Sequence, residues 1–173
     1  QDLRALDAGA WHSDAYKNER LVSLAELARF CIEHDCRLNI EIKPCPGFER
    51  ITGARVAEMT QELWRDSSDK PLMTSFDIRC LAASKATAPE LPRGYLVHKF
   101  SRQWRTTAID LQCSVVIVDQ SICNMAMIQR IKQLGMRCGA YTVNKASRAQ
   151  SLMTKGVDLI ITDQLGFPHA LST

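Results

Sequence analysis

Apolar and polar residues alternate strictly through Leu38-Asn39-Ile40-Glu41-Ile42-Lys43, ahead of Pro44. A period of two is that of a β-strand, so a strand over 37–43 carries Leu38, Ile40 and Ile42 on one face and Asn39, Glu41 and Lys43 on the other. The segment before it has helical spacing, with Leu21, Leu24, Leu27, Ala28 and Cys31 on one stripe. Ser23 is placed to cap that helix, and Glu26 three residues later completes a capping box. Val56, Met59, Thr60, Leu63 and Trp64 mark a second helix. Strand-like runs at 72–76, 93–98, 114–119, 137–143 and 159–163 then alternate with helical ones. The intervening helices are carried by Ile78, Leu81 and Ala82, by 103–111, by Met127, Ile128, Ile131 and Leu134, and by 146–154. Gly135 and Gly156 stop the last two, and a short terminal helix is expected after Phe167 or Pro168.

Six strands alternating with helices predict βαβ units and a parallel sheet, an α/β fold. A doubly wound nucleotide-binding sheet would need a phosphate fingerprint such as G-x-G-x-x-G, and none is present. A TIM (β/α)8 barrel takes ~250 residues, or ~30 per unit. The 173 residues therefore suffice for about six of the eight units, in one partial domain over 1–173. Strands in such repeats are usually buried on both faces. A polar row on the 37–43 strand then needs partners, a metal or a ligand.

Composition narrows the classes further. The chain is 46% hydrophobic and 24% charged, enough for a real core. No segment approaches the ~20 apolar residues of a membrane span. The net charge of +3 comes from scattered basic residues, which leaves no nucleic-acid footprint but suits a small anionic substrate. Seven cysteines, at 31, 36, 45, 80, 113, 123 and 138, form no C-x-x-C and no zinc-type spacing. Their odd number and apolar settings favour reduced thiols in a cytoplasmic protein. The chain opens on Gln1 rather than Met, so its natural start and any targeting segment are expected to lie outside it.

Polar and aromatic residues end several strands: Glu41 and Lys43, Ser75 and Phe76, Asp119, Tyr141 to Asn144, and Asp163. Barrel active sites collect at that end of the strands. Glu41 can bind a hard divalent cation, and Lys43 can neutralise a phosphate oxygen as a point charge. The plain alternative for this pair is a salt bridge along the strand. Tyr141 and Asn144 can pack on and hydrogen-bond a small substrate, or serve the strand end alone. Phe76 walls a pocket or simply packs. Asp163 caps the next turn or faces a ligand. Histidines 12, 34, 98 and 169 share no local pattern with one another or with a carboxylate, so no catalytic histidine is visible.

Six ordered motifs carry a resemblance: D-A-G-A-W at 7–11, L-N-I-E-I-K-P at 38–44, T-S-F at 74–76, E-L-P-R-G at 90–94, Y-T-V-N at 141–144 and G-V-D-L-I-I-T-D at 156–163. Together they closely resemble bacterial glycerophosphodiester phosphodiesterases of the cytoplasmic type, over essentially the whole chain. The resemblance implies a TIM barrel that uses a divalent metal, Mg²⁺ or Ca²⁺, to hydrolyse deacylated phospholipids to glycerol 3-phosphate and an alcohol, a step of lipid and glycerol metabolism. It implies that Glu41 is a metal-binding glutamate, that Lys43 is a catalytic lysine facing the phosphate, and that Phe76, Tyr141 and Asn144 lie near the substrate.

The departures matter as much. The family's H-R-G motif, its E-x-D metal pair and its second catalytic histidine precede the D-A-G segment, and none is found here. Asn18 and Val22 stand where the family tends to have Gly and Pro. The isolated chain is therefore expected to lack substantial phosphodiesterase activity. The alternative is a non-catalytic remnant or binding module that associates with another chain, or with itself, through open barrel edges at 37–43 and 159–163. An unrelated phosphate-handling barrel would need a glycine-rich loop after a late strand, where only Gly156 and Gly166 lie nearby.

Overall fold

Each strand pairs with the next in chain order. In the computed structural model, which describes residues 3–164 and 166, these are β1 (Asn39–Glu41), β2 (Leu72–Ser75), β3 (Arg93–Val97), β4 (Cys113–Asp119), β5 (Arg137–Tyr141) and β6 (Leu159–Ile160). They form one sheet in the order β1-β2-β3-β4-β5-β6, with every pair parallel. Helices α1 (Leu24–Glu33), α2 (Glu49–Leu63), α3 (Ile78–Thr87), α4 (Trp104–Asp110), α5 (Met125–Lys132) and α6 (Ala146–Thr154) alternate with them. An unbroken sequential order is the winding of a barrel, whereas a doubly wound sheet reverses direction at a switch point. The terminal helix expected after 167 lies outside the described residues.

The sheet is curled. Phe76 follows β2 and Tyr141 ends β5, three strands away, which in a flat sheet would be ~14 Å at ~4.8 Å per strand. Their rings nevertheless stand edge to face with centroids 5.5 Å apart. The six units therefore form a trough, a partial barrel with helices outside.

Both faces of the central strands are apolar, which explains the continuous run S-V-V-I-V. Towards the helices, Val116, Val118, Cys138 and Ala140 pack with Leu81, Trp104, Ile128, Ile131 and Leu152. Inside the trough, Leu96, Val115 and Ile117 meet Leu72, Tyr141, Leu159 and Ile161. The anticipated local signals also operate. Ser23 and Glu26 form a reciprocal capping box on α1, and Gly135 and Gly156 take left-handed φ values of 74° and 99° just beyond α5 and α6.

Three boundaries differ from the sequence pattern. Ladder pairing in β1 and β6 is shorter than the apolar alternation, because each lies at an edge of the described sheet. For the same reason β1 is not buried on both faces: Ile42 is buried, while Asn39 and Glu41 are exposed on the trough side. Helix α2 begins at Glu49, ahead of its apolar stripe. Its first turn is held by charge instead, with the Glu49 carboxylate accepting the Gly47 N–H at 3.1 Å and meeting Arg79 at 2.8 Å.

The end of the sheet away from the site is closed by Arg93, which opens β3 and is only 3% exposed. Its guanidinium donates to the carbonyls of Leu111, Leu91 and Pro89 at 2.9, 2.7 and 3.1 Å. Burial pulls its pKa below the usual arginine value, yet the carbonyl cage keeps the cation satisfied. Replacing Arg93 by Met leaves these carbonyls without their donor, so urea unfolding of the variant is expected to show a loss of about 3 kcal/mol. A loss below about 1 kcal/mol would show that water replaces the guanidinium there.

Candidate active site

The strand β1 aims Glu41 and Lys43 into the trough through its register on β2. Asn39 stands against Leu72 and Glu41 against Thr74, while Ile40 and Ile42 turn towards Met73 and the helices. Thr74 Oγ1 donates to Asn39 Oδ1 at 3.0 Å, and Ser75 Oγ donates to the Ile42 carbonyl at 2.7 Å. Past the ladder, Lys43 Nζ lies 3.6 Å from Glu41 Oε1, with the lysine side chain 78% exposed. An exposed ion pair of this kind contributes ~0–1 kcal/mol. Little therefore holds Lys43 back from an incoming anion.

A cleft of about 630 Å³ opens beside this pair, lined by Glu41, Lys43, Ser75, Phe76, Leu96 and Tyr141 among others. Four of the residues singled out in the sequence, Glu41, Lys43, Phe76 and Tyr141, are thus brought to one place. Phe76 is 44% exposed and leans its ring on Tyr141 across the trough. The Tyr141 hydroxyl is buried and has no hydrogen-bond partner among the described residues. Burial first, and then the charges of Asp119 and Glu41, push the phenol up to about 12, so it stays protonated and able to donate.

Asn144, also singled out in the sequence, is not among the residues lining the cleft and uses its amide within the fold. Its Nδ2 donates to Asp163 Oδ2 at 3.0 Å, and its Oδ1 accepts from Thr162 Oγ1 and the Asp163 N–H at 3.0 and 2.9 Å. It staples the segment after β5 to the segment after β6, and Asp163 is its partner. Asp77, also on the cleft wall, caps α3 through Arg79 N–H. Its carboxyl is held below the usual range chiefly by the Arg79 guanidinium.

One pair is invisible to local sequence patterns. His98 Nδ1 lies 3.4 Å from Asp119 Oδ2, at the ends of β3 and β4. The Ser121 N–H donates to Asp119 Oδ1 at 2.8 Å and, with help from His98, holds this carboxyl below its ordinary value. His98 therefore has a carboxylate partner, one that the absence of a local sequence pattern among the histidines did not reveal. The usable signal was alternation counted along two strands at once: two residues beyond Leu96 and two beyond Ile117 fall on the same face.

A metal centre is not complete in these residues. Among the described residues, no three His, Cys, Asp or Glu side chains converge in a way that would hold an ion. Glu41 is a single oxygen donor with a lysine beside it.

Comparison with known proteins decides the family. The glycerophosphoryl diester phosphodiesterase family model matches residues 1–167. The chain belongs to this family. YhdW of Bacillus subtilis (strain 168) is 27% identical over 179 residues, covering 96% of this chain and 68% of that protein. A glycerophosphodiester phosphodiesterase of Caldanaerobacter subterraneus is 25% identical, covering 94% of this chain and 66% of the relative. Among solved structures, an Oleispira antarctica phosphodiesterase in complex with the product sn-glycerol-3-phosphate is 29% identical, with a TM-score of 0.89 over 99% of this chain and 69% of that one. The chain thus spans about two thirds of the length of these phosphodiesterases. The α/β barrel architecture expected from the strand count is the architecture of the family, present here as six sequential units.

The orphaned phenol gives a direct check on the cleft. Tyr141→Phe removes a hydroxyl with no partner among the described residues, so the unfolding free energy is expected to stay within about 0.5 kcal/mol of the parent. Ultraviolet titration of parent minus variant is expected to place the missing phenol near 12. Ionisation near the ordinary value of 10.0 would show that the hydroxyl is hydrated instead.

Proposed function

We propose that this chain forms the phosphate-binding side of a glycerophosphodiester phosphodiesterase, the enzyme class that hydrolyses glycerophosphodiesters to glycerol 3-phosphate and an alcohol. The observation that carries the reading is the Glu41–Lys43 pair on the rim of a family-matched barrel, opening onto a cleft that suits a small diester. Lys43 is the catalytic group that neutralises charge on a non-bridging phosphate oxygen as the phosphorus is attacked. Phe76 and Tyr141 wall the substrate, and Asn144 fixes the rim beside it. Glu41 is one hard-oxygen donor for the divalent cation, Mg²⁺ or Ca²⁺, that the family resemblance implies. The described residues do not complete that ligand shell, and the chain's own contribution is electrostatic.

The setting is consistent with a small-molecule enzyme. No helix among the described residues is long and apolar enough to cross a membrane, and all seven cysteines are free thiols, which supports a cytoplasmic setting. Hydrolysis also needs a group to activate water and another to protonate the leaving alkoxide. Among the described residues no imidazole lines the cleft.

A second reading rests on the sheet edges. Among the described residues β1 and β6 each pair on one side only, and open edges invite association. In that reading the chain is a non-catalytic module that completes its barrel against another chain or a second copy. Light scattering distinguishes the two, since a clean monomer counts against completion by self-association.

With glycerophosphocholine or glycerophosphoethanolamine and added Mg²⁺ or Ca²⁺, the isolated chain is expected to show no substantial turnover. Robust turnover that is lost in Glu41→Ala would overturn this. Calorimetry is expected to detect binding of sn-glycerol 3-phosphate that Lys43→Ala weakens roughly tenfold. Undiminished binding in that variant would remove Lys43 from the phosphate site.

A further inference from the structure

We infer that His98 and Asp119 form a subsite that reads a hydroxyl group on the organic part of a phosphate ester held at Lys43. The inference rests on the phosphate-site reading of Lys43 and adds to it a pair of residues that discriminates among esters.

Register places the pair. In β3 the trough-facing positions are Gly94 and Leu96, and in β4 they are Val115 and Ile117, with Leu96 set against Ile117. One further step of alternation brings His98 and Asp119 to the same face, where the 3.4 Å contact is observed. Asp119 is also in register with Tyr141. Leu96 and Tyr141, the neighbours of the pair on that face, both line the cleft. The pair itself is not among the lining residues and stands next to the cleft, where that face continues past Leu96 and Ile117. Asp119 lies on β4, three strand spacings from β1, ~14 Å along a flat sheet and less where the sheet curls, a gap that a lysine side chain and a three-carbon phosphate ester can bridge together.

The chemistry of the pair selects the ligand. Asp119 is fixed by the Ser121 N–H at Oδ1, and the turn is closed by the Ile122 N–H donating to the Asp119 carbonyl at 3.1 Å. That leaves lone pairs on Oδ2 beside His98. The imidazole engages the carboxylate through Nδ1 and has a side chain 69% exposed, so Nε2 is open to a ligand. A hydroxyl both donates and accepts: its proton suits the carboxylate, and its oxygen or proton suits Nε2. A second phosphate would be repelled by Asp119, so the two ends of the cleft carry opposite charge and orient an ester with phosphate at Lys43 and hydroxyls at Asp119. As a plain surface ion pair the contact would contribute ~0–1 kcal/mol to stability and would not affect ligand choice.

The test compares sn-glycerol 3-phosphate with n-propyl phosphate, which has the same phosphate and no hydroxyls, by calorimetry on the 173-residue chain. The parent is expected to favour the glycerol ester roughly tenfold. His98→Ala and Asp119→Ala are expected to bring that ratio near one while propyl phosphate binds as before, which also shows that the variants are folded. Should Asp119→Ala fail to fold, the exposed His98→Ala decides alone. A parent ratio near one, or a ratio unchanged in the variants, overturns the inference and leaves the Lys43 reading standing. Tighter binding of phosphoethanolamine than of the glycerol ester by the parent also overturns it, because the carboxylate would then be selecting a cation. Absence of propyl phosphate binding in the parent removes the phosphate site and the subsite with it.

Discussion

The register of one short edge strand governs everything at the rim. Side chains alternate with period two, so a slip of β1 by one residue would turn Glu41 and Lys43 into the helix layer and expose Ile40 and Ile42. Ile42 is buried against Met73 and Ala57, and the hydroxyls of Thr74 and Ser75 grip β1 from the neighbouring strand. Burial on one face and two side-chain hydrogen bonds between the strands therefore hold two charged groups in position on the other. The ion pair between those groups is a consequence of that placement and contributes little to it.

Curvature does the rest. Residues 65 positions apart in the chain, Phe76 and Tyr141, touch because the sheet bends, and the same bend gathers strand ends that a flat sheet would spread apart. The result is a cleft lined by Lys43, Phe76 and Tyr141, with the His98–Asp119 contact at the neighbouring strand ends. The opposite end of the sheet has a different character. Arg93 is buried there and engaged by backbone carbonyls, in keeping with the stabilising role of that end in barrels.

Much of this was legible before any coordinates. Alternation in L-N-I-E-I-K, the Ser23–Glu26 box and the apolar run from Val115 to Val118 each depend on neighbours in sequence, and each appears as read. What was not legible depends on distant partners. His98 and Asp119 are 21 residues apart on different strands, so their contact follows only from inter-strand register. The early start of α2 comes from Arg79 on another helix, and the exposure of Asn39 and Glu41 comes from β1 lying at a sheet edge. Asn144 is read from sequence as a rim residue. Its amide is also a staple to Thr162 and Asp163, because those groups meet only when β6 docks beside β5.

The sequential strand order has a bearing on how such a chain acquires its shape. Arg93 meets Met73, Arg137 meets Val115 and Leu159 meets Gly139, each about 20 residues back along the chain. Among the described residues, each new strand thus finds its partner in the strand made just before it. Loop closure stays short at each addition, which favours rapid assembly. A polypeptide emerging at the pace of translation can extend this sheet one unit at a time from its leading end.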